Sequence, residues 1–141
     1  MKKIILLILT LLLATTSFSQ TVIGKWKTID DETGKAKSIV EIYEKEGKIY
    51  GRILEILEEE HRNRKCILCS GSDKDKPILG MTIIKGLTKD DQEYNGGKIT
   101  DPKNGKQYKC YITLYAKDKL KVRGYIGISL FGRTQYWYRV K

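Results

Sequence analysis

The chain has 141 residues, with 27 lysines and arginines against 17 aspartates and glutamates, which gives a formal net charge of +10. Its length is enough for one domain with one hydrophobic core. His61 is the single histidine, so a Ser-His-Asp or Cys-His catalytic site would have to use it. The sequence also lacks G-x-S-x-G, H-E-x-x-H and glycine-rich phosphate-binding motifs. We therefore predict no catalytic residue, no metal and no cofactor, and the sequence favours a binding or structural role over an enzyme.

Residues 1–19 have the pattern of a secretory signal peptide. Lys2 and Lys3 precede a run at 4–13 that is apolar except for Thr10, and small residues follow this run. The run is too short to span a bilayer as a helix. We therefore predict that residues 1–19 are cleaved and that residues 20–141 form the exported domain. Its expected location is the periplasm or the extracellular space, as a soluble or peripheral protein.

Short extended runs separated by turn residues make up the rest of the chain, which is typical of an all-β domain. At 106–115 and 119–126 apolar and polar residues alternate, so one face of each strand should be buried. The sequence Asp-Pro-Lys-Asn-Gly at 101–105 predicts a tight turn. The segment at 55–65 is the one helix candidate, and it fits a strand that runs into a charged loop equally well. The predicted strands are 22–29, 37–44, 48–57, 79–85, 94–100, 106–115, 119–126 and 134–140.

Eight sequentially paired strands in about 120 residues favour a small antiparallel up-and-down barrel, because closure removes exposed sheet edges. Gly96 and Gly97 lie within a predicted strand and indicate a bulge or a sharp corner. A barrel of this size is either filled by its own side chains or holds one small ligand. The choice between these two interiors decides the function.

Two short features at the ends of the domain resemble the lipocalin-like, or calycin, arrangement. Gly24-Lys25-Trp26 lies on the first predicted strand and Arg139 on the last. In that arrangement an arginine from the final strand covers the tryptophan of a Gly-x-Trp motif. The resemblance implies that Gly24, Trp26 and Arg139 are structural residues that close one end of the barrel.

A longer resemblance covers nearly the whole predicted mature chain. Its segments are GKWKTIDDETGKAKSIVEIYE, KIYGRI, CILC, GMTIIKGL, GGKITDPKNGKQYKC and LKVRGYIGISLFGRTQYWYR. Together and in this order they resemble the bacterial domain-of-unknown-function family 2147. The resemblance implies an exported, lipocalin-like β-barrel. It implies no activity and no ligand, so no catalytic residue is carried over from it.

The cysteines allow several interpretations. In an oxidising compartment, Cys66 and Cys69 in a C-x-x-C sequence predict a disulfide. A redox-active dithiol and a zinc site with His61 and an aspartate such as Asp73 are alternatives, without a βαβ unit or a second C-x-x-C to support them. Cys110 lies on the apolar face of its strand and is predicted to be a buried free thiol. Its pairing with Cys66 or Cys69 is the alternative.

The segment at 124–133 (GYIGISLFGR) is apolar and interrupted by three glycines. Such a connection at a barrel mouth would be a lid or an entry port for a hydrophobic ligand, or else a plug of the barrel end. Arg133, or Arg123 on a barrel strand, would hold a polar head group. The candidate ligand-binding residues are Tyr108, Leu120, Arg123, Phe131, Arg133 and Trp137.

From these features we predict that the protein binds a small apolar or amphipathic ligand in the cell envelope. The alternative is a packed barrel that serves as an interaction or structural module for an envelope partner, and a thiol-redox enzyme is a third hypothesis. The positive charge suits peripheral contact with anionic lipid or acidic glycans, or solubility alone. No nucleic-acid recognition motif is present, so we predict no nucleic-acid partner.

Overall fold

Eight antiparallel strands form a closed barrel in the computed structural model, which describes residues 21–141. Each strand pairs with the next one in sequence, and the last returns to the first. The predicted fold class is confirmed, while the predicted signal peptide at 1–19 lies outside the described residues. The strands are β1 (Gly24–Ile29), β2 (Ala36–Lys45), β3 (Lys48–Ile56), β4 (Thr82–Asp90), β5 (Glu93–Thr100), β6 (Gln107–Ala116), β7 (Lys119–Tyr125) and β8 (Gly132–Arg139).

The fourth strand begins later than the sequence pattern predicted. The apolar run at 79–85 suggested a strand over those residues, whereas β4 starts at Thr82. Gly80 explains the difference, because its φ of 85° lies in the left-handed region, outside the range of extended backbone. The Gly80 N–H donates to the Ile53 carbonyl at 2.8 Å and fixes this loop against β3.

Of the two predictions for 55–65, the structure shows the strand that runs into a charged loop and not the helix. β3 continues to Ile56, and a single 3-10 turn, Glu59–His61, follows it without any buried side chain. Beyond Leu57 the segment consists almost entirely of charged residues. A longer helix here would have no apolar face to pack against the barrel, so nothing would offset the cost of forming it.

The predicted alternation of buried and exposed side chains is present on β6 and β7. Cys110, Ile112, Leu120 and Val122 are buried, and the residues between them are half-buried or exposed. These inward-facing side chains belong to one apolar cluster. Its most completely buried members on the strands are Trp26, Val40, Ile42, Ile84, Leu87, Cys110, Ile112 and Leu120.

The two ends of the barrel differ. At one end, here called the closed end, two-residue turns at 46–47, 91–92 and 117–118 join the strands. Residues 21–23, directly before β1, and residues 140–141, after β8, also lie at this end. The Val140 N–H donates to the Lys25 carbonyl, and Lys141 Nζ approaches Asp118 in the turn at 117–118. The opposite end, here called the open end, carries the longer loops 30–35, 57–81, 101–106 and 126–131.

An arginine and a tryptophan close the seam between the first and last strands. The Arg139 guanidinium lies over the Trp26 ring, 4.3 Å from its centroid, and the two residues are directly paired between β8 and β1. Arg139 also donates to the carbonyls of Thr21 at 2.8 Å and Ile23 at 3.2 Å. Gly24 leaves room for it, because a β-carbon there would lie 2.9 Å from Arg139 Nη1.

Within residues 21–141, none of the helical segments has the length and apolar character needed to traverse a lipid bilayer.

Candidate functional site

A cavity of about 830 Å³ lies inside the open end of the barrel. Its volume is in the range of small-molecule binding sites. The space exists because positions that line it carry small side chains, namely Thr28 on β1, Ser38 on β2 and Gly124 on β7. The apolar part of the wall includes Ile53, Ile56, Ile83, Ile99, Val122 and Trp137. The interior is therefore filled at the closed end and hollow at the open end.

A chain of polar contacts runs along β8 from the cavity floor to its rim. Trp137 Nε1 donates to Gln135 Oε1 at 3.2 Å, and Gln135 Nε2 donates to Asp31 Oδ2 at 3.3 Å. The same carboxylate oxygen lies 2.5 Å from Arg133 Nη2. Residues 133, 135 and 137 alternate along the strand, so all three face the cavity. This series of polar contacts fixes the position of the Arg133 guanidinium at the entrance.

Hydroxyl groups contribute the remaining polarity of the wall. Thr28 Oγ1 and Ser38 Oγ are 2.7 Å apart on neighbouring strands, and the Tyr108 hydroxyl accepts a hydrogen bond from Asn104 Nδ2 at 3.3 Å. Every buried side-chain nitrogen and oxygen of residues 21–141 has a hydrogen-bond partner. The wall thus presents satisfied polar groups within a mainly apolar surface, which suits a ligand with an apolar body.

The rim of the cavity has more basic than acidic groups. Its basic residues are Lys37, Arg64, Lys65, Lys103 and Arg133, and its acidic residues are Asp30, Asp31, Glu58 and Asp101. The acidic groups are engaged locally. The N–H groups of Thr33 and Glu32 donate to the Asp30 carboxylate and lower its pKa, so this group stays ionised in neutral solution. The surplus of basic groups favours an anionic group at the entrance.

Two loops meet the cavity entrance with apolar side chains. Ile67 and Leu68 come from the disulfide loop (residues 66–69), and Ile126 and Phe131 come from the β7–β8 loop (residues 126–131). The disulfide loop packs closely on the β5–β6 turn, because a β-carbon at Gly105 would overlap the Leu68 carbonyl. Contacts between distant parts of the chain therefore build the entrance.

The family model described as "Uncharacterized protein conserved in bacteria (DUF2147)" matches residues 24–139. The chain belongs to this family. The DUF2147 barrel is also similar to the solved structure of HP1028 from Helicobacter pylori, which is described as belonging to the lipocalin family. The TM-score is 0.77 at 21% identity, over 87% of this chain and 85% of that chain, so the likeness shows the fold. No curated protein matches the chain.

Four of the six predicted ligand-binding residues line the cavity of the DUF2147 barrel. They are Tyr108, Phe131, Arg133 and Trp137. Leu120 does not line it, because it is completely buried in the filled half, where it pairs with Trp137 across β7 and β8.

Arg123 is a correction to the sequence prediction, because its side chain points away from the cavity. Its Nε donates to the Ser129 carbonyl at 2.7 Å, and its Nη1 donates to Thr134 Oγ1 at 2.7 Å. Successive side chains of a strand point to opposite faces, and Arg123 lies between the inward-facing residues Val122 and Gly124, so it faces outward. Arg123 therefore fixes the β7–β8 loop and cannot hold a head group inside the barrel.

Gln135 and Asp31 are site residues that the sequence analysis missed. The signal for Gln135 was available, because it lies two residues from both Arg133 and Trp137 and so shares their face of β8. Asp31 gave no such signal. It belongs to the β1–β2 turn and reaches Arg133 only because β1 and β8 meet when the barrel closes.

The cysteines take the predicted arrangement. Cys66 and Cys69 form a disulfide, which confirms that pairing, and both are buried. Cys110 is a buried free thiol, and burial raises its pKa to about 12. Its pairing with Cys66 or Cys69 is thereby excluded. The zinc site that includes these two cysteines also fails, because the sulfurs of a disulfide are not thiolate ligands.

Proposed function

We propose that this DUF2147 barrel binds a small amphipathic ligand with an anionic head group in the cell envelope. The observation that carries the proposal is the cavity of about 830 Å³, with an apolar wall and a basic rim. The ligand's apolar part would occupy the wall between β1 and β8. Burying about 300 Å² of apolar ligand surface contributes roughly 7 kcal/mol before the cost of immobilising the ligand.

Arg133 is the residue we assign to the head group. Its side chain is 66% exposed at the entrance, and Asp31 holds it through a contact of 2.5 Å. A guanidinium offers five N–H donors, so Arg133 can keep one contact to Asp31 and donate others to a carboxylate or a phosphate. Gln135 and Trp137 support Asp31 from below and limit the freedom of the pair.

Titration with two fluorescent probes tests the proposal: a long-chain fatty acid and the alcohol of the same chain. We expect both to bind with one site per chain. The Arg133→Gln variant should bind the fatty acid about tenfold more weakly than the native protein does, and the alcohol less than about twofold more weakly. Arg52→Gln is the matched control, because Arg52 forms a similar exposed ion pair with Glu41 at 2.7 Å on the outer wall.

A variant that fills the cavity provides the second arm. Gly124 lines the cavity and has a φ that other residues adopt, and a β-carbon there would lie 3.3 Å from Ile99 Cγ2, so the Ile99 side chain must shift by a few tenths of an ångström. The ring of Gly124→Phe would therefore project into the space that the ligand needs. We expect this variant to lose both probes while its circular dichroism spectrum stays that of a β-barrel. If the folded native protein binds neither probe, the proposal is wrong.

A second candidate function is an interaction surface on the outer wall. β6, β7, β8 and β1 contain no aspartate or glutamate, and tyrosines and lysines point outward from them. Lys119 Nζ lies 5.0, 4.6 and 5.8 Å from the ring centroids of Tyr115, Tyr136 and Tyr138. A basic surface with exposed aromatic rings suits an acidic glycan of the envelope.

Calorimetric titration with polygalacturonate tests this surface, with neutral dextran as the control polymer. We expect Lys119→Gln together with Lys121→Gln to abolish binding of the acidic polymer. Lys45→Gln together with Lys48→Gln, on the β2–β3 hairpin, should leave it unchanged. Equal heats of binding for polygalacturonate and dextran would contradict this second candidate function.

A further inference from the structure

Exposed apolar side chains cluster at the open end of the barrel. Of the ten large hydrophobic residues that are exposed among residues 21–141, six lie on the disulfide loop and the β7–β8 loop. They are 61 to 76% exposed, a high value for side chains of this type. These residues are Ile67, Leu68, Ile126, Ile128, Leu130 and Phe131. Because four of them also line the cavity, both loops surround one entrance.

Basic side chains satisfy the backbone carbonyls of the β7–β8 loop from behind. Arg123 donates to the carbonyls of Ser129 at 2.7 Å and Leu130 at 3.3 Å. Lys109 Nζ donates to the Gly127 carbonyl at 3.3 Å. A loop in water does not need such partners, whereas an unpaired carbonyl in an apolar medium costs several kcal/mol. The loop thus presents apolar side chains outward, with three of its carbonyls hydrogen-bonded by basic side chains and two more, those of Ile128 and Phe131, by backbone N–H groups.

The disulfide loop is built in the same way. Lys74 Nζ donates to the Ile67 carbonyl at 2.7 Å, and the Cys66–Cys69 bond closes the loop behind Ile67 and Leu68. The close contact with Gly105 supports it from the β5–β6 turn. Two loops that are far apart in sequence therefore combine exposed apolar side chains with basic groups directly behind them.

From this arrangement we propose that the open end docks on the surface of an anionic lipid bilayer. The six apolar side chains would enter the acyl region, and the basic groups behind them would lie at the level of the lipid head groups. The cavity would then open directly to the lipid, so that a ligand could pass between bilayer and barrel. This last step rests on the proposed function, whereas the docking itself does not.

Charge favours a bilayer over a second copy of the chain as the occupant of this surface. The entrance carries Arg64, Lys65 and Lys103, all exposed, in addition to Arg133. Two identical open ends placed face to face would bring these like charges together, which is unfavourable. An anionic bilayer offers the opposite charge over the same area.

Flotation with vesicles tests the docking, using the exported protein purified from cells that express the full chain. We expect binding to vesicles of phosphatidylethanolamine and phosphatidylglycerol, and weaker binding to phosphatidylcholine or in high salt. The Ile128→Ser, Leu130→Ser double variant should reduce the partition coefficient at least about tenfold. The matched control is Val140→Ser, which removes an apolar side chain 39% exposed at the closed end.

Tryptophan scanning with brominated lipid tests the orientation. Trp26 and Trp137 are buried, so a new tryptophan at an exposed position reports its own contact with lipid. We expect quenching in Leu130→Trp and none beyond the native background in Val140→Trp. Equal quenching at both positions would overturn the docking orientation. Failure of the native protein to bind phosphatidylglycerol vesicles would overturn the docking altogether.

Two further results separate this inference from the alternatives. If sedimentation shows that the native protein is a dimer and that the Ile128→Ser, Leu130→Ser variant is a monomer, the occupant is a second copy and the bilayer proposal is wrong.

The same variant should keep the fluorescent fatty-acid binding of the native protein, because neither residue lines the cavity. Loss of vesicle binding with retained probe binding supports docking. Vesicle binding by a native protein that binds no probe refutes the proposed function and leaves the docking standing.

Discussion

The Arg139 guanidinium and the Trp26 indole are stacked at 4.3 Å across the seam where the barrel closes. This seam is short: among the described residues, only Trp26 with Arg139 and Lys27 with Tyr138 are paired between β1 and β8. Arg139 adds to it through hydrogen bonds to two carbonyls that precede β1. One side chain therefore stabilises both the seam and the closed end.

Replacing this arginine should destabilise the barrel. We expect Arg139→Ala to lower the free energy of unfolding by about 3 kcal/mol, because the cation–π contact and charge-assisted hydrogen bonds are lost together. Arg139→Lys should recover less than half of this, since an ammonium cannot stack and donate to two carbonyls at once. Urea unfolding followed by tryptophan fluorescence measures both. An alanine variant as stable as the native protein would contradict this role.

Two turns of the open end provide a matched pair of glycines. Gly34 and Gly105 both have a φ of 72°, and each N–H donates to the carbonyl of an aspartate four residues earlier. A β-carbon at Gly34 meets open space, whereas one at Gly105 would overlap the Leu68 carbonyl. We expect Gly34→Ala to cost about 1 kcal/mol from backbone strain alone. Gly105→Ala should cost about 3 kcal/mol in the same urea measurement, because overpacking adds to the strain. Equal costs would show that the contact is unimportant.

The disulfide should contribute modestly to global stability. For so small a ring the chain-entropy model gives about 2 kcal/mol. We expect the Cys66→Ser, Cys69→Ser double variant to lose about that amount of free energy of unfolding. Hydrogen exchange should show its largest increase in residues 66–69. Unchanged exchange in this loop would mean that packing on Gly105, rather than the covalent bond, holds it.

Cys110 should be chemically inert in the folded protein. Burial raises its pKa to about 12, so the reactive thiolate is scarce at any pH below that value. We expect no alkylation by iodoacetamide at pH values near 8 in native buffer, and complete alkylation of this one thiol in denaturant without reductant. Mass spectrometry counts the adducts. Rapid labelling of the folded protein would contradict the buried position of the thiol.

Much of the fold was predictable because a strand leaves a simple pattern in the sequence. Strict alternation identified the inward face of β6 and β7, and the turn residues located most strand ends. The errors arose where local patterns mislead. Apolar residues near Leu79 suggested a strand that the φ of Gly80 prevents. The segment at 55–65 allowed both a helix and a strand leading into a charged loop, and a helix there has no face to bury.

The cavity was less predictable, because it depends on how distant residues combine. Whether a barrel is hollow follows from the summed volume of inward side chains, and Thr28, Ser38 and Gly124 come from three separate strands. The contact between Asp31 and Arg133 likewise exists only once β1 and β8 meet. The head-group role predicted for Arg123 was wrong for a different reason. The alternation of side chains along β7 already indicated that Arg123 faces outward.

The position of the chain ends has a practical consequence for experiments on this protein. Lys141 approaches Asp118 in the β6–β7 turn, and Arg139 holds Thr21 at the same end of the barrel. An affinity tag or a fluorescent protein fused after Lys141 would therefore sit on the side opposite the entrance. Immobilised on a sensor chip through such a fusion, every molecule would face the solution with its entrance unobstructed.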